Sequence, residues 1–157
     1  MNTGKIPVFT MGYEGTTIDS FTKVLVKNKI KTLLDVRAVP LSRKPGFSKN
    51  KLASFLAQEG ISYVGLKGLG TPAEGRAAAR QGQKSELERI FGEHLHSDDA
   101  VRDLKEAIRI SNEVPACLLC FEHSPHCCHR RLVAEAIRKT THQEIVHLDA
   151  TLGGFLL

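Results

Sequence analysis

The sequence predicts an α/β fold: one three-layer domain, with an open, mostly parallel sheet of about five strands and helices on both faces. Three observations predict it. Short apolar runs alternate along the chain with segments of helical spacing. Ala116-Cys117-Leu118-Leu119-Cys120-Phe121 is almost wholly apolar, as a strand in the middle of a parallel sheet must be. The 157 residues, without an internal repeat or low-complexity stretch, match the size of one ordinary domain, so residues 1–157 are read as a single unit.

The elements follow in order. Residues 6–11 read as a buried strand ending at Gly12, and Thr16 or Thr17 caps a helix in which Ile18, Phe21 and Leu25 share a face. Residues 31–36 form the second strand, and this β-α-β connection favours parallel pairing. Pro40, Pro45 and Gly46 make 37–48 irregular, after which Ser48 caps a helix that buries Leu52, Phe55 and Leu56 and stops at Gly60. A third strand covers 61–64. Residues 65–83, rich in Gly, Ala and Arg, read as a long loop with at most a helical turn, a length associated with function or mobility. Helices are expected over 84–95 and 98–112, the second with Val101, Leu104 and Ile108 facing inward. After the apolar strand, a helix starts near Cys128 and buries Leu132, Val133, Ala136 and Ile137. Residues 144–148 are the last strand, and Phe155-Leu156-Leu157 either docks or frays. The spacing does not fix the strand order.

At 41% hydrophobic residues the chain can build a core without a metal or disulfide staple. No apolar run nears the ~20 residues that span a bilayer, and the first residues lack a signal-peptide pattern, so a cytoplasmic protein with no membrane partner is expected. The formal charge of +5 is compatible with an anionic small molecule or nucleic acid as partner, and Arg37, Arg43, Lys44, Lys49 and Lys51 concentrate it in a stretch with no acid. That stretch holds one aromatic, Phe47, so no base-stacking platform is evident. Oligomeric state is not legible.

The residues that carry chemistry fall at strand ends. Gly12-Tyr13-Glu14 follow the first strand, Asp35 and Arg37 close the second, and Glu122 and His123 follow the apolar one. In open α/β sheets ligands bind beyond the carboxyl ends of the strands, so these groups are expected to converge. Asp35 and Arg37, two apart on a strand, point the same way. They read either as a substrate-orienting pair with Asp35 as base, or as a salt bridge anchoring loop 37–48. A helix starting near Cys128 would offer its amides and dipole to an anion, with Arg130 or Arg131 adding a fork of donors. A cysteine there would be the more nucleophilic, and Glu122 could serve as acid, base or sugar-hydroxyl ligand.

Other chemistries are tested by counting. Cys117 and Cys120 match C-x-x-C, but residues three apart on a strand point to opposite faces, which argues against a redox pair. A phosphatase loop needs Arg six positions after Cys, and Val133 and Ala134 stand there. No phosphate-binding P-loop, dinucleotide fingerprint or nucleophile elbow occurs, and no cofactor is called for. Zinc is the rival reading: Cys120, His123, His126, Cys127, Cys128 and His129 supply soft donors in ten residues, although the spacings fit no finger or ribbon.

Taken in order, Thr10-Met11-Gly12-Tyr13-Glu14-Gly15, Leu34-Asp35-Val36-Arg37 with Pro40 and Ser42, Phe47, Leu52, Gly60-Ile61-Ser62-Tyr63, Leu69-Gly70, Cys120-Phe121-Glu122, Cys128-His129-Arg130 and His147 resemble the family known as domain of unknown function 488, over about residues 8–148. The chain departs from the usual pattern at Tyr13-Glu14 and at Thr71, and Cys127 stands as an addition beside Cys128. The resemblance implies an α/β fold with a polar pocket and names no reaction. The combined expectation is a hydrolase-like enzyme for a nucleotide-like or nucleic-acid-derived substrate. Asp35, Glu122 and Cys128 are its catalytic candidates, and Gly12, Tyr13, Arg37, Ser42, Tyr63, His129 and Arg130 contact substrate. A non-catalytic module binding nucleic acid or an acidic partner through 37–51 and 67–84 is the alternative, beside the zinc protein.

Overall fold

Five parallel strands form one sheet: β1 (Val8–Gly12), β2 (Thr32–Asp35), β3 (Ser62–Gly65), β4 (Ala116–Cys120) and β5 (Ile145–Leu148). Their order across the sheet is β3-β2-β4-β1-β5. The computed structural model of the chain describes residues 4–152, less the side chains of residues 127 and 152. The expected docking or fraying of residues 155–157 lies outside the described residues.

The strand period of two sorts the apolar residues between two cores. Met11, Leu33, Cys117 and Leu119 meet α1 (Ile18–Lys27) and α2 (Lys49–Gln58), which contribute Phe21, Val24, Leu25, Leu52 and Leu56. Val8, Leu34, Ala116 and Leu118 meet the other layer, α4 (Lys84–His94), α5 (Asp98–Glu113) and α6 (His129–Thr141), through Phe91, Ala107, Ile110, Val133 and Ile137. β4 is buried at all five positions, as its continuous apolar run requires.

Local chemistry sets the helix starts. Thr17 Oγ1 accepts the Ser20 amide at 3.1 Å to cap α1, and Ser97 caps α5, where Asp98 and Asp99 sit at the positive end of the dipole. Ser48 precedes α2 but turns its hydroxyl to the Ser42 amide and carbonyl, both at 3.0 Å, closing the loop instead of capping the helix.

Two expectations are corrected. Residues 65–83 are not a long loop: a 3-10 turn (Lys67–Leu69) and α3 (Ala73–Arg80) occupy most of them. Pro72 sits at the N-cap position and Ala77-Ala78-Ala79 follow, so high helix propensity outweighs the Gly and Arg content. In α5 the inward stripe is rotated: Ala100, Ala107, Ile110 and Ser111 are buried and Val101 is exposed. α5 packs chiefly against the Lys67–Leu69 turn and α6, where Gly68 lets the turn come up to the Asp99 backbone.

The topology positions the site. From β1 the chain crosses by α1 toward the β3 edge, whereas from β4 it crosses by α6 toward the β5 edge. Adjacent strands whose connections depart in opposite directions open a crevice at their carboxyl ends.

Candidate functional site

At that switch point a cavity of about 650 Å³ opens, within the range of small-molecule sites. Tyr13 and Glu14 line it from beyond β1, Arg37, Val39 and Leu41 from beyond β2, and Cys120, Phe121 and Glu122 from the end of β4. Arg76 and Arg80 of α3 and His129 of α6 complete it. The Arg37 and Glu122 side chains thus share one cavity wall.

The backbone that places these groups is tightly fitted. The β1–β4 pairing runs past the strands, with the Glu14 amide donating to the Phe121 carbonyl at 2.8 Å. Gly12 lies opposite Cys120, and a Cβ on it would come within 1.8 Å of the Glu122 carbonyl oxygen and 3.0 Å of Arg130 Nη1. Only glycine permits this approach. Gly70 similarly abuts the Ala38 backbone, at 2.3 Å from a built Cβ, which brings the start of α3 against the loop after β2.

Arg37 is gripped from three sides. Its Nε and Nη2 donate to the two oxygens of Asp35, each at 2.8 Å, and Nη1 donates to the Phe47 carbonyl at 2.7 Å and to the Tyr13 hydroxyl at 3.3 Å. Four of its five N–H groups are engaged, and the fifth has no partner among the described residues. Burial opposes its charge, but the Asp35 carboxylate more than compensates, and the guanidinium pKa is raised. Asp35 also accepts from the Arg37 main-chain amide and from the Tyr63 hydroxyl, whose pKa is pushed up first by burial and then by that carboxylate. Asp35 and Tyr63 face a separate cleft, not the cavity. Tyr13 stacks on Phe47, centroids 4.5 Å apart, so Phe47 serves the core and is no platform for bases. The Tyr13 O–H has no acceptor among the described residues.

Arg130 is wholly buried and outside the cavity wall. Its Nη1 donates to the Glu122 carbonyl, Nη2 to the His123 carbonyl at 3.0 Å, and Nε to Thr10 Oγ1 at 3.3 Å. It therefore fixes the loop after β4. Gly12 likewise acts through its missing side chain, and Ser42 through the loop bonds to Ser48 and Lys44.

Cys120, Cys128 and His129 form a buried cluster beside Glu122. Cys128 occupies the N-cap of α6, where its Sγ accepts the Arg130 amide at 3.5 Å. His129 Nε2 lies 2.7 Å from the Val36 carbonyl, which can only accept, so Nε2 carries a proton and Nδ1 faces the sulfurs. Burial opposes a second proton on the ring, but the hydrogen bond and charge of Cys128 outweigh it and raise the His129 pKa. Cys120 Sγ is 3.4 Å and Cys128 Sγ 3.9 Å from that Nδ1. Cys120 Sγ also lies 3.3 Å from Glu122 Oε2. Burial pushes the Cys120 thiol up, with the sulfur of Cys128 adding to the shift. At Cys128 burial is outweighed by Cys120, His129 and Arg130, which pull its pKa down. Burial, then the neighbouring Cys128 charge, pushes Glu122 up to about 7. Cys117 packs in the opposite core, its thiol pushed up to about 12 by burial.

The sequence reading missed Arg76 and Arg80 as cavity residues. Their i, i+4 spacing within an alanine-rich segment places both on one helical face, and that was the available signal. Among the described residues no helix is long and apolar enough to cross a membrane.

Comparison with curated proteins and with solved structures returns no match. Residues 17–137 match the family described as Domain of unknown function DUF488, and since these cover well over half of the 157 residues, the chain belongs to that family.

Proposed function

We propose that this protein is a hydrolase for a nucleotide-like or nucleic-acid-derived anion, with Glu122 as the proton-transferring group. One observation carries the reading: the Glu122 carboxylate and a cationic wall of Arg37, Arg76 and Arg80 line the same cavity at the sheet's switch point. The rest of the lining supports a ligand that is charged at one end and flat or apolar at the other. Phe121, Val39 and Leu41 are exposed apolar side chains at this rim, and they suit a base or sugar face while the arginines take a phosphate. The free Tyr13 hydroxyl supplies a further donor.

In the reaction, water adds across a glycosidic or phosphoester bond. Its oxygen goes to the anomeric carbon or phosphorus, its proton goes to Glu122, and a proton leaves Glu122 for the departing atom. Asp35 and Arg130 are positioning residues: Asp35 holds Arg37, and Arg130 holds the Glu122 main chain. Cys128, buried behind His129, does not face the substrate.

The test is a panel of nucleoside mono- and diphosphates and short oligonucleotides, scored separately for released base and released phosphate. Glu122→Gln should lower kcat by about 10²–10⁴-fold with an unchanged fold by circular dichroism. Turnover that survives this substitution, or a panel with no turnover at all, defeats the proposal.

A further inference from the structure

We propose that Cys120, Cys128 and His129 form a zinc centre whose fourth position opens onto the cavity. The Sγ atoms and His129 Nδ1 all lie within 4.8 Å of one another, and among the described residues this is the group of three or more donors that could hold an ion. The geometry fits a tetrahedral ion. Zinc bonds of about 2.3 Å to sulfur and 2.05 Å to nitrogen at the tetrahedral angle separate S from N by roughly 3.6 Å. The observed separations are 3.4 and 3.9 Å.

Three further features support the assignment. The ligands come from two separate elements, the end of β4 and the start of α6, as a rigid site requires. The Val36 carbonyl holds the Nε2–H of His129, the outer contact that fixes the tautomer of a metal-binding histidine and leaves Nδ1 free to bind. Two sulfurs and an imidazole select zinc over magnesium, calcium or manganese. On binding, each thiol releases its proton to solvent, and two thiolates neutralise the ion, so the buried centre carries no net charge.

Three protein ligands with one open position is the pattern of catalytic rather than structural zinc. Cys120 and His129 line the cavity together with Glu122, so a zinc-bound water would be generated beside the proton-transferring carboxylate. This catalytic use rests on the hydrolase reading; metal binding itself does not.

The test reads metal directly. Untagged protein analysed by elemental mass spectrometry should hold about one zinc per chain. Exchange with cobalt(II) should give the intense thiolate-to-cobalt absorption and the visible bands of a tetrahedral ion. Cys117→Ser should keep both signals. Cys120→Ser and His129→Gln should each lose the metal to a chelator that the wild type resists. If a ligand variant fails to fold, the wild-type zinc content and cobalt spectrum still decide. Folded wild-type protein with zinc below roughly a tenth of an equivalent and no cobalt–thiolate band overturns the centre, as does loss of metal from Cys117→Ser equal to that from Cys120→Ser. Glu122→Gln, which should keep its zinc while losing turnover, separates failure of the centre from failure of the hydrolase reading.

Discussion

Replacing Asp35 by Asn tests whether the buried Asp35–Arg37 pair sets the site. Both side chains are almost fully buried, 1% and 5% exposed, with Nη2 and Oδ2 2.8 Å apart. The amide keeps one acceptor oxygen for Arg37 but turns an NH2 donor toward its other N–H and leaves a cation with no counter-charge in the core. Breaking such a pair costs about 3–5 kcal/mol, far more than the 0–1 kcal/mol of an exposed bridge. At an m-value of about 2 kcal/mol/M, the urea midpoint should fall by about 1.5–2.5 M. Arg37→Met should cost a similar amount, because the carboxylate then keeps only Tyr63 and one amide as donors. The double variant Asp35→Leu/Arg37→Met removes both charges at once and should recover most of the loss, since an apolar replacement of a buried pair is often neutral. Urea unfolding of these proteins together with Asp35→Leu closes the cycle and gives the coupling energy. If Asp35→Asn shifts the midpoint by less than about 0.5 M, or if the two single losses simply add in the double variant, the pair does not hold the site as argued.

Two further outcomes follow from the other tightly built contacts. Thr10 Oγ1 accepts from Arg130 Nε and lies against His147 Nδ1, to which it can donate when the ring is neutral. Burial first, then the charge of Arg130, pushes His147 down to about 4. An unfolded histidine titrates near pH 6.5, so this stabilisation is complete above about pH 6.5 and drains away as pH falls toward 4. Allowing for the half-exposed ring, it amounts to about 2 kcal/mol. His147→Gln should flatten the fall in urea midpoint between these pH values, and an unchanged slope would contradict the assignment. Gly12→Ala should destabilise by about 3 kcal/mol or more in the same assay, because the added methyl meets backbone rather than a side chain that could swing away; a loss under about 1 kcal/mol would mean that the loop after β4 yields easily.

Most of the sheet was legible because its signals are local. Short runs rich in apolar and β-branched residues gave all five strands to within about two residues. The order β3-β2-β4-β1-β5 was not legible, since nothing in the β4 run states that it inserts between β2 and β1. Glycine content hid α3: Gly75 suggests a loop, but there it makes room for the Thr71 side chain, whose Cγ2 would lie 2.2 Å from a built Cβ. In the site, the charged residues at strand ends were visible as a set, but their division of labour was not. A strand-end carboxylate reads the same whether it lines a cavity, as Glu122 does, or grips an arginine, as Asp35 does.

That division follows from where hydrogen-bond partners run out. Pairing with β1 carries the β4 strand as far as Phe121, whose carbonyl accepts the Glu14 amide. The chain must then turn back into α6, and the carbonyls of Glu122 and His123 have no strand to pair with. Leaving them buried and unmatched would cost about 1–3 kcal/mol each. Arg130, from the first turn of α6, reaches back to both. Its cation has no carboxylate partner among the described residues, and it lies where the helix dipole is already positive. Negative charge nearby is therefore favoured, and on the ionisation of the Cys128 and Cys120 sulfurs Arg130 acts in the favourable direction, behind burial and the other side chains of the cluster. The residue that folds the loop thereby also favours the Cys128 thiolate, whereas burial and that neighbouring sulfur hold Cys120 as a thiol.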